Sequence, residues 1–136
     1  GVAARPAPAD AVAEADLVVT ATRAAEPVFD GARLRPGAFV AAVGSTLPHT
    51  AELDLAAYRG AATVIVEDET QSFAESGGLI RARAAGALPP VRTLADALAD
   101  AAAARPAPDA TIVFDSVGIA LEDVAVAGAV WRRLSG

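Results

Sequence analysis

Apolar residues in this chain come in short runs, and the runs alternate between two periods. In ADLVVTAT (15–22) the apolar stretch 17–19 is too short for a helix and rich in β-branched side chains, which predicts a buried strand. FVAAVG (39–44), ATVIVED (62–68) and ATIVFDS (110–116) predict three more. Between them the spacing is helical. Residues 9–15 read as the end of a short helix, and AELDLAAYRG (51–60) reads as a helix that Gly60 stops just past its end. ETQSFAESGGLIRARAAG (69–86) reads as helical, with a break at Gly77 and Gly78 and an end at Gly86. LADALADAAAA (94–104) has Thr93 as its N-cap and Pro106 and Pro108 as terminators. GIALEDVAVAGAVWRRL (118–134) forms the last helix, with Arg132 and Arg133 at the end where the helix dipole favours cations. AAEPVFDGARLRPGA (24–38) reads as a loop and PPV (89–91) as a link.

Nearly all-apolar strands taking turns with helices predict an α/β fold with a parallel sheet. Ligands of such sheets sit at the carboxyl ends of the strands. The corresponding turns are TATR (20–23), GSTLPH (44–49), EDETQ (67–71) and DSVG (115–118), and two of them contain glycine. Glycine permits a close backbone approach and hydroxyl groups can bind a polar ligand, which is one reading. The other is that Gly, Ser, Thr and Asp are the ordinary turn formers and caps of any α/β protein.

Composition narrows the possibilities. A chain of 136 residues is one domain by length, able to bury roughly 65–70% of its unfolded surface. Aromatic residues make up only 4%, so the core is aliphatic. Cysteine is absent, which excludes disulfides and thiolate metal sites. The net charge of −6, without a basic stripe, argues against nucleic acid and anionic membranes as partners. GVAARPAPAD has no basic-then-apolar leader pattern, and charges interrupt the apolar stretches before the ~18–20 residues of a membrane span. The expectation is a soluble, cytoplasmic protein. No G-x-G-x-x-G, P-loop or G-x-S-x-G motif occurs. The acidic VEDE (66–69) reads better as a solvated helix start than as a metal site, so no metal is expected.

Taken together, ADLVVTAT with EPVF, GAFVAAVGSTLPHTAELD, VIVEDETQSFAESGGL and TIVFDSVGIALEDVAVA resemble, in order and spacing, the ornithine cyclodeaminase/mu-crystallin family, from about Ala9 to the C-terminus. The resemblance implies a Rossmann-type domain and an NAD- or NADP-dependent enzyme. It also implies a homodimer, with a separate domain for dimerisation and substrate. Activities in the family include cyclodeamination, amino-acid dehydrogenation and reduction of cyclic ketimines such as pyrroline-2-carboxylate. By the same resemblance, Thr20, Ala21 and Thr22 match the turn beside the adenosine half of the cofactor. Gly44 and Ser45 match the turn near the nicotinamide, and Ser116, Val117 and Gly118 match the loop that closes on its carboxamide.

Two departures follow from the resemblance. Thr46 stands where cyclodeaminases carry an acid/base aspartate, and a hydroxyl with no base beside it cannot replace a carboxylate in proton transfer. This favours a reductase or dehydrogenase acting on an amino or imino acid. In addition, the family's N-terminal domain, first Rossmann strand and G-x-G-x-x-G turn would all precede Gly1. The chain then corresponds to the C-terminal half of a subunit, a partial Rossmann domain over residues 1–136, and a complementary chain could supply the rest. A truncated, non-catalytic domain is the alternative.

Single residues carry competing readings. Asp115 is a ligand contact or a helix cap, and Gln71 reads as solvent-facing more readily than as a bridge across the crevice. Glu122 and Asp123 read as dipole partners in the first turn of the last helix, and His49 as a surface-loop residue. Trp131 and Phe114 read as core or dimer contacts, and Tyr58 as packing a helix on the sheet.

Overall fold

The computed structural model of the chain describes residues 3–136. Five parallel strands form one sheet: β1 (Leu17–Thr20), β2 (Phe39–Ala42), β3 (Thr63–Val66), β4 (Val91–Thr93) and β5 (Ile112–Asp115). They lie in the order β1-β2-β5-β3-β4, so the last strand inserts between the second and third. Register places Thr20 beside Ala42 and Ala42 beside Asp115, while Ile65 pairs with Phe114. The α/β class and the parallel sheet agree with the apolar pattern. The fifth strand, β4, does not: it begins at the last residue of the expected link and runs to the expected N-cap, Thr93. Its three residues have no strand periodicity of their own, and pairing with β3 makes them a strand, with Val64 N donating to Pro90 O at 3.0 Å.

The sheet is covered unequally. On one face Val18, Val40, Val64, Val66 and Val113 pack with Leu53, Tyr58 and Leu79 into the main core. The other face carries a smaller cluster of Ile65, Ala97, Ala104, Ala110 and Ile112. That second layer does not reach β1, where Leu17 is 60% and Val19 59% exposed. An edge strand with one bare apolar face is unusual for a parallel sheet, which needs cover on both sides.

The helices are α1 (Leu55–Gly60), α2 (Glu69–Glu75), α3 (Gly77–Ala84), α4 (Leu94–Ala99), α5 (Ala101–Ala104) and α6 (Ala120–Ser135). Caps set their boundaries. Asp54 accepts from Ala57 N and starts α1 late, leaving 51–53 as a buried, bent approach to it. Gly60 is the last helical residue rather than the one beyond it, and Ala61 is the C-cap. The break expected at Gly77 and Gly78 falls one residue earlier: Ser76 closes α2 and caps α3 through Leu79 N, so the glycines open α3. Gly86, at φ +58°, ends it as expected. Thr93 caps α4 through Asp96 N, also as expected, but the predicted single helix over 94–104 is two, because Asp100 caps α5 through Ala103 N. Residues 9–14 form a 3-10 turn instead of a helix end, and a second one (Gly31–Arg33) interrupts the long loop.

No residue of α6 is buried. Glu122 and Asp123 in its first turn and Arg132 and Arg133 in its last suit the helix dipole. Its apolar residues Leu121, Val124, Trp131 and Leu134 are 68–80% exposed. Trp131 is therefore not a core residue, whereas Phe114 packs on the smaller cluster and Tyr58 is 1% exposed in the main one. Among the described residues, no helix is long and apolar enough to cross a membrane.

Candidate functional site

Parallel pairing puts every carboxyl strand end on one edge of the sheet, so the turns after β1, β2, β5 and β3 stand side by side. Ladder bonds run on into them. Val43 N donates to Thr20 O and Ser116 N to Ala42 O, both at 2.9 Å. Two buried glutamates then tie the turns together.

Glu52 is 1% exposed. Its carboxylate accepts from Thr20 Oγ1 at 2.9 Å, from Gly44 N at 2.8 Å and from Thr22 N. One side chain thus joins the turns after β1 and β2. Burial pushes its pKa up, but the bonds from Thr22, Gly44 and Thr20 outweigh burial and hold it below the ordinary carboxylate range.

Glu67 plays the same part after β3. It accepts from Ser116 Oγ, from Val117 N at 3.3 Å and from Gly118 N at 3.2 Å, binding the turn after β5 to the end of β3. Gln71 Nε2 donates to Gly118 O at 3.0 Å, so Gln71 bridges the crevice instead of facing solvent. Between the two glutamates lies Asp115, 3% exposed, which accepts from Tyr58 Oη at 2.5 Å and caps no helix. Burial raises its pKa to about 6, Glu67 and Glu52 add to the rise, and the Tyr58 and Ser76 hydroxyls oppose it. Burial and the neighbouring Asp115 hold the Tyr58 phenol well above its usual range.

The candidate residues gather on this edge in different environments. Thr20 is buried and its hydroxyl is committed to Glu52, whereas Ala21 and Thr22 are exposed. Ser45 is buried, with its hydroxyl donating to Thr50 O at 2.7 Å. Thr46 and His49 are exposed, and Ser116, Val117 and Gly118 are half-buried. Gly44 is required for a reason other than ligand approach: a Cβ there would stand 2.1 Å from Thr22 O and 2.6 Å from Glu52 Oε1. Gly118 has open space but φ +76°. Gly118→Ala should therefore lower stability by about 1 kcal/mol through backbone strain, readable by denaturant titration, without displacing any neighbour.

Glu52 and Glu67 are the residues that sequence reasoning missed. Glu52 stands between apolar Ala51 and Leu53, and Asp54 already serves as the cap of α1, so a second acid in that stretch needed another use. In VEDE, Asp68 is the N-cap of α2 and Glu69 lies in its first turn, as the solvated-start reading requires, but Glu67 turns inward. Among the described residues, no group of carboxylates and histidine could hold a metal ion.

The model of one family, described as the ornithine cyclodeaminase/mu-crystallin family, matches residues 1–136. The Delta(1)-pyrroline-2-carboxylate reductase of Bacillus thuringiensis subsp. konkukian is 35% identical over 132 residues, 91% of this chain and 39% of that protein. A crystal structure described as a probable ornithine cyclodeaminase from Bordetella pertussis Tohama I is 52% identical, with a TM-score of 0.89 over 96% of this chain and 42% of that one. The Thermococcus litoralis Delta(1)-pyrroline-2-carboxylate reductase, solved with NADH and L-proline, superposes with a TM-score of 0.79 at 28% identity, over 88% of this chain and 38% of that one. The chain thus spans about 40% of the length of the proteins it matches.

Proposed function

Because the chain belongs to the ornithine cyclodeaminase/mu-crystallin family, we propose that it is the second half of a dinucleotide-binding domain in a larger, dimeric subunit. That subunit is an NAD- or NADP-dependent reductase of cyclic ketimines or imines, or an amino-acid dehydrogenase. The observation that carries this reading is the single edge on which Glu52 binds the turns 20–22 and 43–46 to each other and Glu67 binds the turn 115–118 to the end of β3. The incomplete cover of the sheet supports the partial domain. The bare face of β1, with Leu17 and Val19, suits preceding strands and helices of the same domain, and the uncovered α6 suits assembly with the remainder of the subunit or its partner.

The turns fit some parts of a dinucleotide and not others. The amides of Thr22, Gly44, Val117 and Gly118 are already committed to carboxylates. An edge whose donors are spent and whose buried groups are acidic is unsuited to phosphates, which want free N–H groups and positive potential. The sugar and nicotinamide parts, which carry no negative charge, fit it. Thr20, Ala21, Thr22, Gly44, Ser45, Ser116, Val117 and Gly118 would form that wall, and the diphosphate needs a helix N-terminus from outside the chain. When bound, the cofactor supplies the hydride. The chain's own residues hold rigid turns against it and exclude water. Thr46 is exposed and can offer a hydrogen bond to substrate, and among the described residues its hydroxyl is bonded to no carboxylate that could take its proton.

The test uses the full-length protein with NADH or NADPH and pyrroline-2-carboxylate, following oxidation of the dinucleotide. Turnover is expected with the ketimine. Incubation with L-ornithine and NAD should release neither ammonia nor proline, because of Thr46. The similarity to the Bordetella pertussis protein favours cyclodeamination as the second reading, and clear proline formation would establish it over the first. The isolated 136 residues should bind either dinucleotide more weakly than low-micromolar by calorimetry. Low-micromolar binding would mean that this edge suffices without a phosphate site.

A further inference from the structure

We infer that Glu52 is a positioning residue: its carboxylate locks the turns after β1 and β2 into one rigid surface, and so sets the shape of the edge against which a dinucleotide lies. The second half of that statement rests on the function proposed above; the first half stands on geometry alone. Three donors from two separate turns converge on the one carboxylate, namely Thr20 Oγ1, Thr22 N and Gly44 N. Ladder bonds fix the strands only as far as Val43 N to Thr20 O. Beyond that point, among the described residues, the only hydrogen bonds that join Thr22 to Gly44 run through Glu52, and the two backbones pass so closely that a Cβ on Gly44 would overlap Thr22 O.

A carboxylate suits this task because it only accepts, and all three partners donate. An amide of the same shape presents an NH2 to at least one of them. The donors are therefore a matched set for an anion, and a neutral isostere leaves a buried N–H facing another N–H.

The experiment is Glu52→Gln in the full-length protein, with two readouts. In amide-proton NMR the Thr22 and Gly44 signals should move to higher field as their charge-assisted bonds are lost. NADH affinity, measured well below the melting temperature, should fall on the order of tenfold. Moved signals together with weakened NADH binding bear out the inference. Unmoved signals overturn it, and so do moved signals with unchanged affinity, since the turns then shift without consequence for the ligand. If the wild-type protein binds no dinucleotide, the proposed function fails, and the Thr22 and Gly44 signals still decide whether Glu52 holds the turns. Should Glu52→Gln not fold, Thr20→Val removes one donor from the carboxylate and Thr20→Ser retains it. NADH affinity lost in the first and restored in the second supports the inference; equal affinity in both contradicts it.

Discussion

Replacing Gly44 by alanine is expected to be among the most damaging single changes in the chain. The added methyl would stand 2.1 Å from Thr22 O, 2.2 Å from Thr22 N and 2.6 Å from Glu52 Oε1. The first two are backbone atoms of a turn that Glu52 and the ladder hold in place, so they cannot swing aside as a side chain would. Overpacking of this kind costs about 3 kcal/mol. The turns at 20–22 and 44–46 must also separate, so dinucleotide affinity should fall together with stability. Gly60→Ala is the control. Its Cβ meets nothing within 4 Å and its φ is not positive, so alanine there should be neutral or stabilise α1 by about 0.5–1 kcal/mol. Urea titration of both variants checks the contrast, and equal stability of the two would contradict the close approach at Gly44.

The second large effect concerns Asp115 and depends on pH. Its carboxyl titrates at about 6 in the fold, against an ordinary aspartate value of 3.8 when the chain is unfolded. A carboxyl raised on folding adds stability below its unfolded pKa and loses it as pH rises through the folded value. The described chain should therefore lose roughly 3 kcal/mol from this group between about pH 4 and pH 6. Tyr58→Phe removes the phenol that solvates the charged form, leaving an ionised carboxylate short of a donor in the core. The loss should be about 1–3 kcal/mol at pH 8 and clearly smaller near pH 5, where the carboxyl carries its proton. Asp115→Asn should flatten the pH dependence of the melting temperature. A Tyr58→Phe penalty that is the same at both pH values would contradict a change in the protonation of Asp115 between them.

The strands were legible because their signal is local: TVIV in β3 is buried at every position, as a β-branched, mostly apolar run in a parallel sheet implies. The turns lying after them followed from the fold class. β4 was not legible, since its residues Val91, Arg92 and Thr93 carry no period and only their partner β3 makes them a strand. Helix ends went astray where a polar side chain could cap in mid-run: Ser76 moved the expected break at Gly77 and Gly78 one residue earlier, and Asp100 divided what looked like one helix. At the candidate site, the residue types in the turns pointed to the carboxyl edge of the sheet, where the structure gathers them, yet the side chains that organise that edge lie elsewhere in sequence. Glu52 reaches Thr20 and Thr22, 32 and 30 positions away, and Glu67 reaches 49 to 51 positions to the turn after β5. A bond of that span leaves no local pattern, whereas Gln71 looks like any exposed helix residue until β5 is placed beside β3. The charge cluster VEDE misled for the same reason, because two of its acids serve the helix and the third does not.

The central claim is that the carboxyl edge of the sheet forms one wall of a dinucleotide site, and the most direct test is to map NADH onto the full-length protein by amide-proton NMR or hydrogen exchange. Ligand-dependent changes are expected to concentrate at residues 20–22, 43–46 and 115–118, with little change at the opposite ends of the same strands. Tight NADH binding that leaves these three turns unperturbed would contradict it.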